Sequence, residues 1–65
     1  MKVRLYISNI DEDNYDKDIA EIEEALDKGG YEYEWISDDR LLVDEDEADF
    51  IIMCLEKCSY EVDSI

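Results

Sequence analysis

Histidine is absent from this 65-residue chain, and only six lysines and arginines stand against 21 aspartates and glutamates, a formal net charge of −15. The shortage of bases excludes a nucleic-acid binder of the usual kind, which neutralises phosphates with Lys and Arg and releases their counterions. An anionic membrane surface repels such a chain for the same reason. Suitable partners are cationic: a basic protein surface, a polyamine or a metal ion. Without histidine the commonest general acid–base is missing, and so small a domain has little room for a water-excluding pocket. No enzyme is expected.

Cysteine occurs only at positions 54 and 58, too few for a disulfide scaffold, which points to a reducing cytoplasm. Four apart on a helix, and without further soft ligands, the pair makes no metal site. The two thiols are expected to pack as small hydrophobes, Cys58 on the core face and Cys54 nearer the rim. Long apolar runs are missing too. The longest, Phe50 to Leu55, falls far short of the roughly 20 residues of a spanning helix. Met1-Lys2-Val3-Arg4 opens an alternating pattern rather than the apolar block of a signal peptide.

What is present argues for one folded domain over residues 1–65. High net charge usually accompanies low apolar content and disorder, but here 46% of the residues are hydrophobic and seven are aromatic. Val3, Leu5 and Ile7 alternate with Lys2, Arg4 and Tyr6, which predicts a half-buried strand. After the polar break Asn9 to Asn14, Asp13 or Asn14 can cap a helix in which Tyr15, Ile19, Ile22 and Leu26 share one face. Asp16, Glu21, Glu23, Glu24 and Asp27 are expected to face away, and Gly29-Gly30 ends the helix. Residues 31–43 read as a hairpin, with Tyr31, Tyr33 and Trp35 on one face and Ser37-Asp38-Asp39 as its turn. Asp44 to Glu47 reads as an acidic cap to a second helix whose apolar face is Ala48, Ile51, Ile52, Leu55 and Cys58. A buried strand is the alternative for 48–58, because Phe50 to Leu55 is continuously apolar. Residues 60–65 alternate again as a closing strand.

An internal echo supports this order. Leu26-Asp27-Lys28-Gly29-Gly30-Tyr31 lines up with Leu55-Glu56-Lys57-Cys58-Ser59-Tyr60, each a helix end, a tight turn and a strand opened by tyrosine. Two β-α-β halves in succession predict an α+β, ferredoxin-like βαββαβ fold, a four-stranded antiparallel sheet with two helices on one face.

Such a topology turns the composition into a surface. The first helix starts at the hairpin end of the sheet, so Asp11, Glu12 and Asp13 are expected beside Asp38 and Asp39. At the opposite end Asp44, Glu45, Asp46, Glu47 and Asp49 open the second helix. The few bases are assigned local partners: Lys17 with Glu21 and Glu24 with Lys28 along the first helix, and Lys2 and Arg4 with Glu61 and Asp63 across the open sheet face. These pairs leave both end clusters without bases. Acids at helix starts are ordinary dipole partners, and adaptation to high salt is a second bland account. Eight isoleucines and five tyrosines speak against the salt account.

Metal chemistry finds little footing. Asp11-Glu12-Asp13 and Asp44-Glu45-Asp46 each start like a calcium loop, but Asp16 and Asp49 stand where its turn needs glycine. Leu41 to Asp46 has the strand-then-DxD look of some phosphohydrolases without the rest of such an enzyme. No cofactor or dedicated metal site is expected. On the second helix, Phe50 and Met53, with Cys54 beside them, remain outside the core face and form a candidate contact surface for a homodimer.

In size, charge and strand–helix order the chain resembles the small acidic bacteriophage proteins that imitate DNA, among them those directed at the bacterial histone-like protein HU. The resemblance rests on the acidic stretches Asp11 to Asp16, Glu21 to Asp27 and Asp44 to Asp49. It implies a basic DNA-binding protein of the bacterial host as partner, the host cytoplasm as location, and carboxylates standing in for phosphates. The competing expectation is a small dimeric interaction module whose acids only keep it soluble.

Overall fold

Alternating and 3.6-residue patterns produce the elements they predict, as the computed structural model of residues 1–65 shows. Strand β1 (Lys2–Ile7) leads through a single 3₁₀ turn, Glu12–Asn14, into helix α1 (Tyr15–Gly29). Strands β2 (Tyr33–Ser37) and β3 (Arg40–Asp44) form the hairpin, and helix α2 (Glu45–Lys57) precedes the closing strand β4 (Val62–Ser64). The sheet order is β2-β3-β1-β4 with every neighbouring pair antiparallel. The fold is the α+β, ferredoxin-like pattern, and residues 48–57 are helical rather than a buried strand.

One face of the sheet and one stripe of each helix build the core. Leu5, Ile7, Leu41, Val43 and Val62 meet Ile22, Leu26, Ala48, Ile51 and Leu55, with Tyr60 closing the cluster. Each alternates or recurs with its element's period, so a single side chain out of step would place an apolar group in water. Ile52, expected in this core, is only half-buried at its edge, and Tyr15 and Ile19 of α1 are half-buried outside it. Cys58 packs against the core, while half-buried Cys54 sits between the helices with its Sγ 3.8 Å from the Ala25 carbonyl.

Element ends depart from expectation in three places. Helix α2 begins at Glu45, so Asp44 takes the N-cap position and the rest of the acidic block forms the first helical turn. Asn14 occupies the N-cap position of α1 but makes no capping bond; its side chain turns to Asp11 at 3.0 Å. Asp11 is the working cap, accepting from the Asp13 amide at 2.9 Å. Strand β4 covers only three residues, with Glu61 lying beyond its pairing with β1.

The internal echo extends to the hydrogen bonds. At the end of α1, Gly30 and Tyr31 donate to the carbonyls of Asp27 and Leu26 at 3.1 and 3.0 Å. At the end of α2, Ser59 and Tyr60 donate to Glu56 and Leu55 at 3.0 and 3.1 Å. Both turns need a left-handed residue, supplied by Gly30 at φ 74° and by Ser59 at φ 72°. Serine is strained there by its Cβ and glycine is not. Ser59→Gly is therefore expected to raise stability by about 0.5–1 kcal/mol, after subtracting glycine's extra unfolded freedom. Thermal unfolding followed by circular dichroism checks it as a rise in Tm of several degrees.

Candidate functional site

Charge is distributed over this fold in a strongly one-sided way. On the sheet face away from the helices, β1 presents Lys2, Arg4 and Tyr6, and directly across them β3 presents Asp44, Leu42 and Arg40. The same alternation puts Glu34 of β2 opposite Leu42 and Asp63 of β4 opposite Tyr6. Three bases thus meet three acids among the strand residues of this face. All fifteen net charges belong to the helix layer and the two ends of the molecule.

Two ion pairs and one stacked cation order the open face. Lys2 Nζ lies 3.6 Å from Asp44 Oδ1, and Arg40 reaches Asp39 Oδ1 at 2.9 Å while its guanidinium sits 4.9 Å over the Tyr6 ring centroid. Both pairs correct the sequence assignment. Lys2 and Arg4 do not meet Glu61, because the β1–β4 register places Glu61 past Ile7, where its carboxylate accepts from Ser8 Oγ at 3.3 Å. Lys17–Glu21 and Glu24–Lys28 also form no ion pair; the structure holds only the two just described. Exposed pairs of long side chains gain a few tenths of a kcal/mol, too little to hold one geometry. Asp39 and Asp44, expected to stand without bases, are the two acids that have them.

The hairpin end gathers the first acidic group. Tyr15, the first residue of α1, donates its hydroxyl to the Asp38 carbonyl at 3.1 Å, and the Ile7 amide donates to the Asp39 carbonyl at 2.9 Å. Glu12, Asp38 and Asp39 share an open hollow with Tyr6 and Tyr15. Within this group Asp11 is tied up in the cap, which holds its carboxyl below the ordinary range, Asn14 being the main cause and the Asp13 amide the second. Glu12, Asp13, Asp16 and Asp38 have no side-chain partner. Asp18, absent from the sequence reading, accepts from the Asp11 amide at 2.9 Å and braces the turn.

The other end carries Glu45, Asp46, Glu47 and Asp49 on the first turns of α2, free of ion pairs. The Glu45 amide donates to the Met1 carbonyl at 2.9 Å, so this block is anchored at the start of β1 as the hairpin is at its end. Six residues of strand, roughly 20 Å, separate the two anchors.

Between the ends, α1 does not turn all its acids outward. Glu23 accepts from the Trp35 indole at 3.0 Å, and Asp27 from the Tyr33 hydroxyl at 3.3 Å. Together with Asp16 they lie on the flank of α1 facing β2, while Glu21 and Glu24 share the outermost face with Lys17 and Lys28. The hydroxyls of Tyr15, Tyr33 and Tyr60 all titrate above the usual tyrosine range, primarily through burial and secondarily through neighbouring acids: Asp38 for Tyr15, Asp27 for Tyr33, and Glu21 and Asp18 for Tyr60. Aromatic donors therefore fix part of the acidic surface in place. The alternation of Tyr31, Tyr33 and Trp35 was visible in the sequence, but not which carboxylates they would reach.

Phe50 and Met53 are 59% and 55% exposed on α2. With Cys54 they line an open groove between the helices, together with Ala25, Tyr31, Lys28 and Lys57. No group of three or more acidic or cysteine side chains is arranged to hold a metal ion, and no helix is long and apolar enough to cross a membrane. No family model, no curated protein and no solved structure matches this chain.

Proposed function

We propose that the protein is a DNA mimic that occupies the basic DNA-binding surface of a bacterial protein, with the nucleoid protein HU as the partner its resemblance implies. The observation that carries the reading is the segregation of charge. A strand face with balanced charges leaves −15 for the helix layer and the ends of a molecule 33 Å long. Duplex DNA of that length carries about 19 charges, at one per 1.7 Å of axis, so the linear densities are comparable. Glu23 and Asp27, held by Trp35 and Tyr33, stand about 6 Å apart along α1, close to two steps of a single DNA strand at 3.4 Å each. Carboxylates held by neighbouring donors lose less freedom when a partner's Lys or Arg bonds to them.

Competition binding tests the reading. HU or another basic DNA-binding protein, immobilised and titrated with this chain at low and at physiological salt, is expected to bind it more weakly as salt rises and to lose it to solution when duplex DNA is added as competitor. Salt-independent binding, or binding that DNA leaves untouched, overturns it. The exposure of Phe50 and Met53 favours a second reading, an interaction module that binds through α2. In that case binding is insensitive to salt and is lost on substitution of Phe50 or Met53, while carboxylate changes leave it intact.

A further inference from the structure

The outward stripe of α2 carries charge at its two ends, which its core stripe lacks. Asp46, Phe50, Met53 and Lys57 follow one another at spacings of four, three and four residues. At 3.6 residues per turn they fall within about 60° of the helix circumference, opposite Ile51 and Leu55. All four are exposed. The spacing is the same read in either direction, the middle is apolar, and the two ends carry opposite charges.

We infer that this stripe is the seat of a second copy of the chain, laid antiparallel along it. In that arrangement Phe50 of each copy meets Met53 of the other, and Asp46 meets Lys57, each contact occurring twice as a two-fold interface requires. Parallel stacking would set Asp46 on Asp46 and Lys57 on Lys57. Phe against Met is a favourable sulfur–aromatic contact as well as apolar burial.

Charge selects this occupant. Lys57, at the end of the stripe, and Lys28 beside it both line the groove, and neither is paired with an acid of its own chain. Two of the three lysines carried by the helices thus stand on this groove. The acidic first turn of a second α2 supplies their complement. Cys54 and Ala25 form the floor against which the partner's Phe50 can lie.

The inference stands apart from the mimic reading, and salt separates the two. Dimerisation is driven by apolar contact against the mutual repulsion of two chains at −15, so added salt tightens it, whereas salt loosens the grip on a basic partner. Sedimentation equilibrium of the wild type, Phe50→Asp, Lys57→Asp and the exchange Asp46→Lys/Lys57→Asp provides the test. The wild type is expected to dimerise at micromolar concentration and more tightly at higher salt, and Phe50→Asp to be monomeric. Lys57→Asp should weaken the dimer about tenfold by facing Asp46 of the other copy, and the exchange should restore it to within about threefold. All four positions are exposed, and circular dichroism verifies that each variant is folded. A wild type that stays monomeric at about 100 µM overturns the dimer, since that concentration detects association as weak as about −5.5 kcal/mol. A dimer that the charge exchange fails to restore overturns the antiparallel seat.

Discussion

Reversing two acids at the hairpin end, Glu12→Lys with Asp13→Lys, is expected to lower affinity for the basic partner by about two orders of magnitude, or about 3 kcal/mol. Both side chains are exposed and without partners, so each is free to bond a cation. The matched control is Glu34→Lys with Asp63→Lys on the open sheet face, which changes net charge by the same four units, from −15 to −11. If the surface acts as a patterned set of charges, the control should lose less than about threefold, because only long-range attraction is reduced. Equal losses in the two double variants would mean that net charge alone matters. Placing lysines at the start of α1 also opposes the helix dipole, at up to about 1 kcal/mol. Circular dichroism and Tm must accordingly accompany the binding isotherms.

The second large effect concerns the fold. Ile51 is fully buried on the side of α2 that faces the sheet. Ile51→Ala removes that contact and leaves a cavity, at about 2–5 kcal/mol. A 65-residue domain has in total about 3–10 kcal/mol at 0.05–0.15 kcal/mol per residue, so the variant is expected to lose roughly half of its stability and to unfold at a much lower urea concentration than the wild type. Ile36 provides the contrast. It lies at the irregularity in β2 between Trp35 and Ser37, 42% exposed, and Ile36→Ala is expected to cost less than about 1 kcal/mol. Urea titrations of the two variants separate them directly; comparable midpoints would contradict the assignment of the core.

How much of this could be read from the residues depends on the range of the interaction. Strand β1 and helix α1 were legible because Val3, Leu5 and Ile7, and then Ile22 and Leu26, repeat with local periods that burial enforces. Helix α2 starts at Glu45, three residues before its first apolar position Ala48, and the residues do not mark that start, since acids at a cap and acids in a first turn have the same dipole preference and the same appearance. The ion pairs were not legible. Lys2 meets Asp44 and Arg40 covers Tyr6 only because of the β1–β3 register, a long-range fact with no trace in sequence spacing. Likewise Trp35 could not be matched with Glu23 before α1 was known to cross β2. The expected grouping of Asp11 to Asp13 with Asp38 and Asp39 came from topology, and the Tyr15–Asp38 bond ties those two segments together.

The balanced strand face makes the apparent identity of the molecule depend on its solvent. Along its principal axes the Cα envelope is nowhere thinner than 17 Å. At 0.15 M ionic strength a charge fades over about 8 Å, and at 0.01 M over about 30 Å. In the first case a partner approaching the open sheet meets a nearly uncharged wall and one approaching the helices meets a polyanion. In the second, the field of the helix layer passes through and around the whole body, and every side repels or attracts alike. Physiological salt is thus what gives this small protein a front and a back, and a basic surface can sort its orientation before any atoms touch.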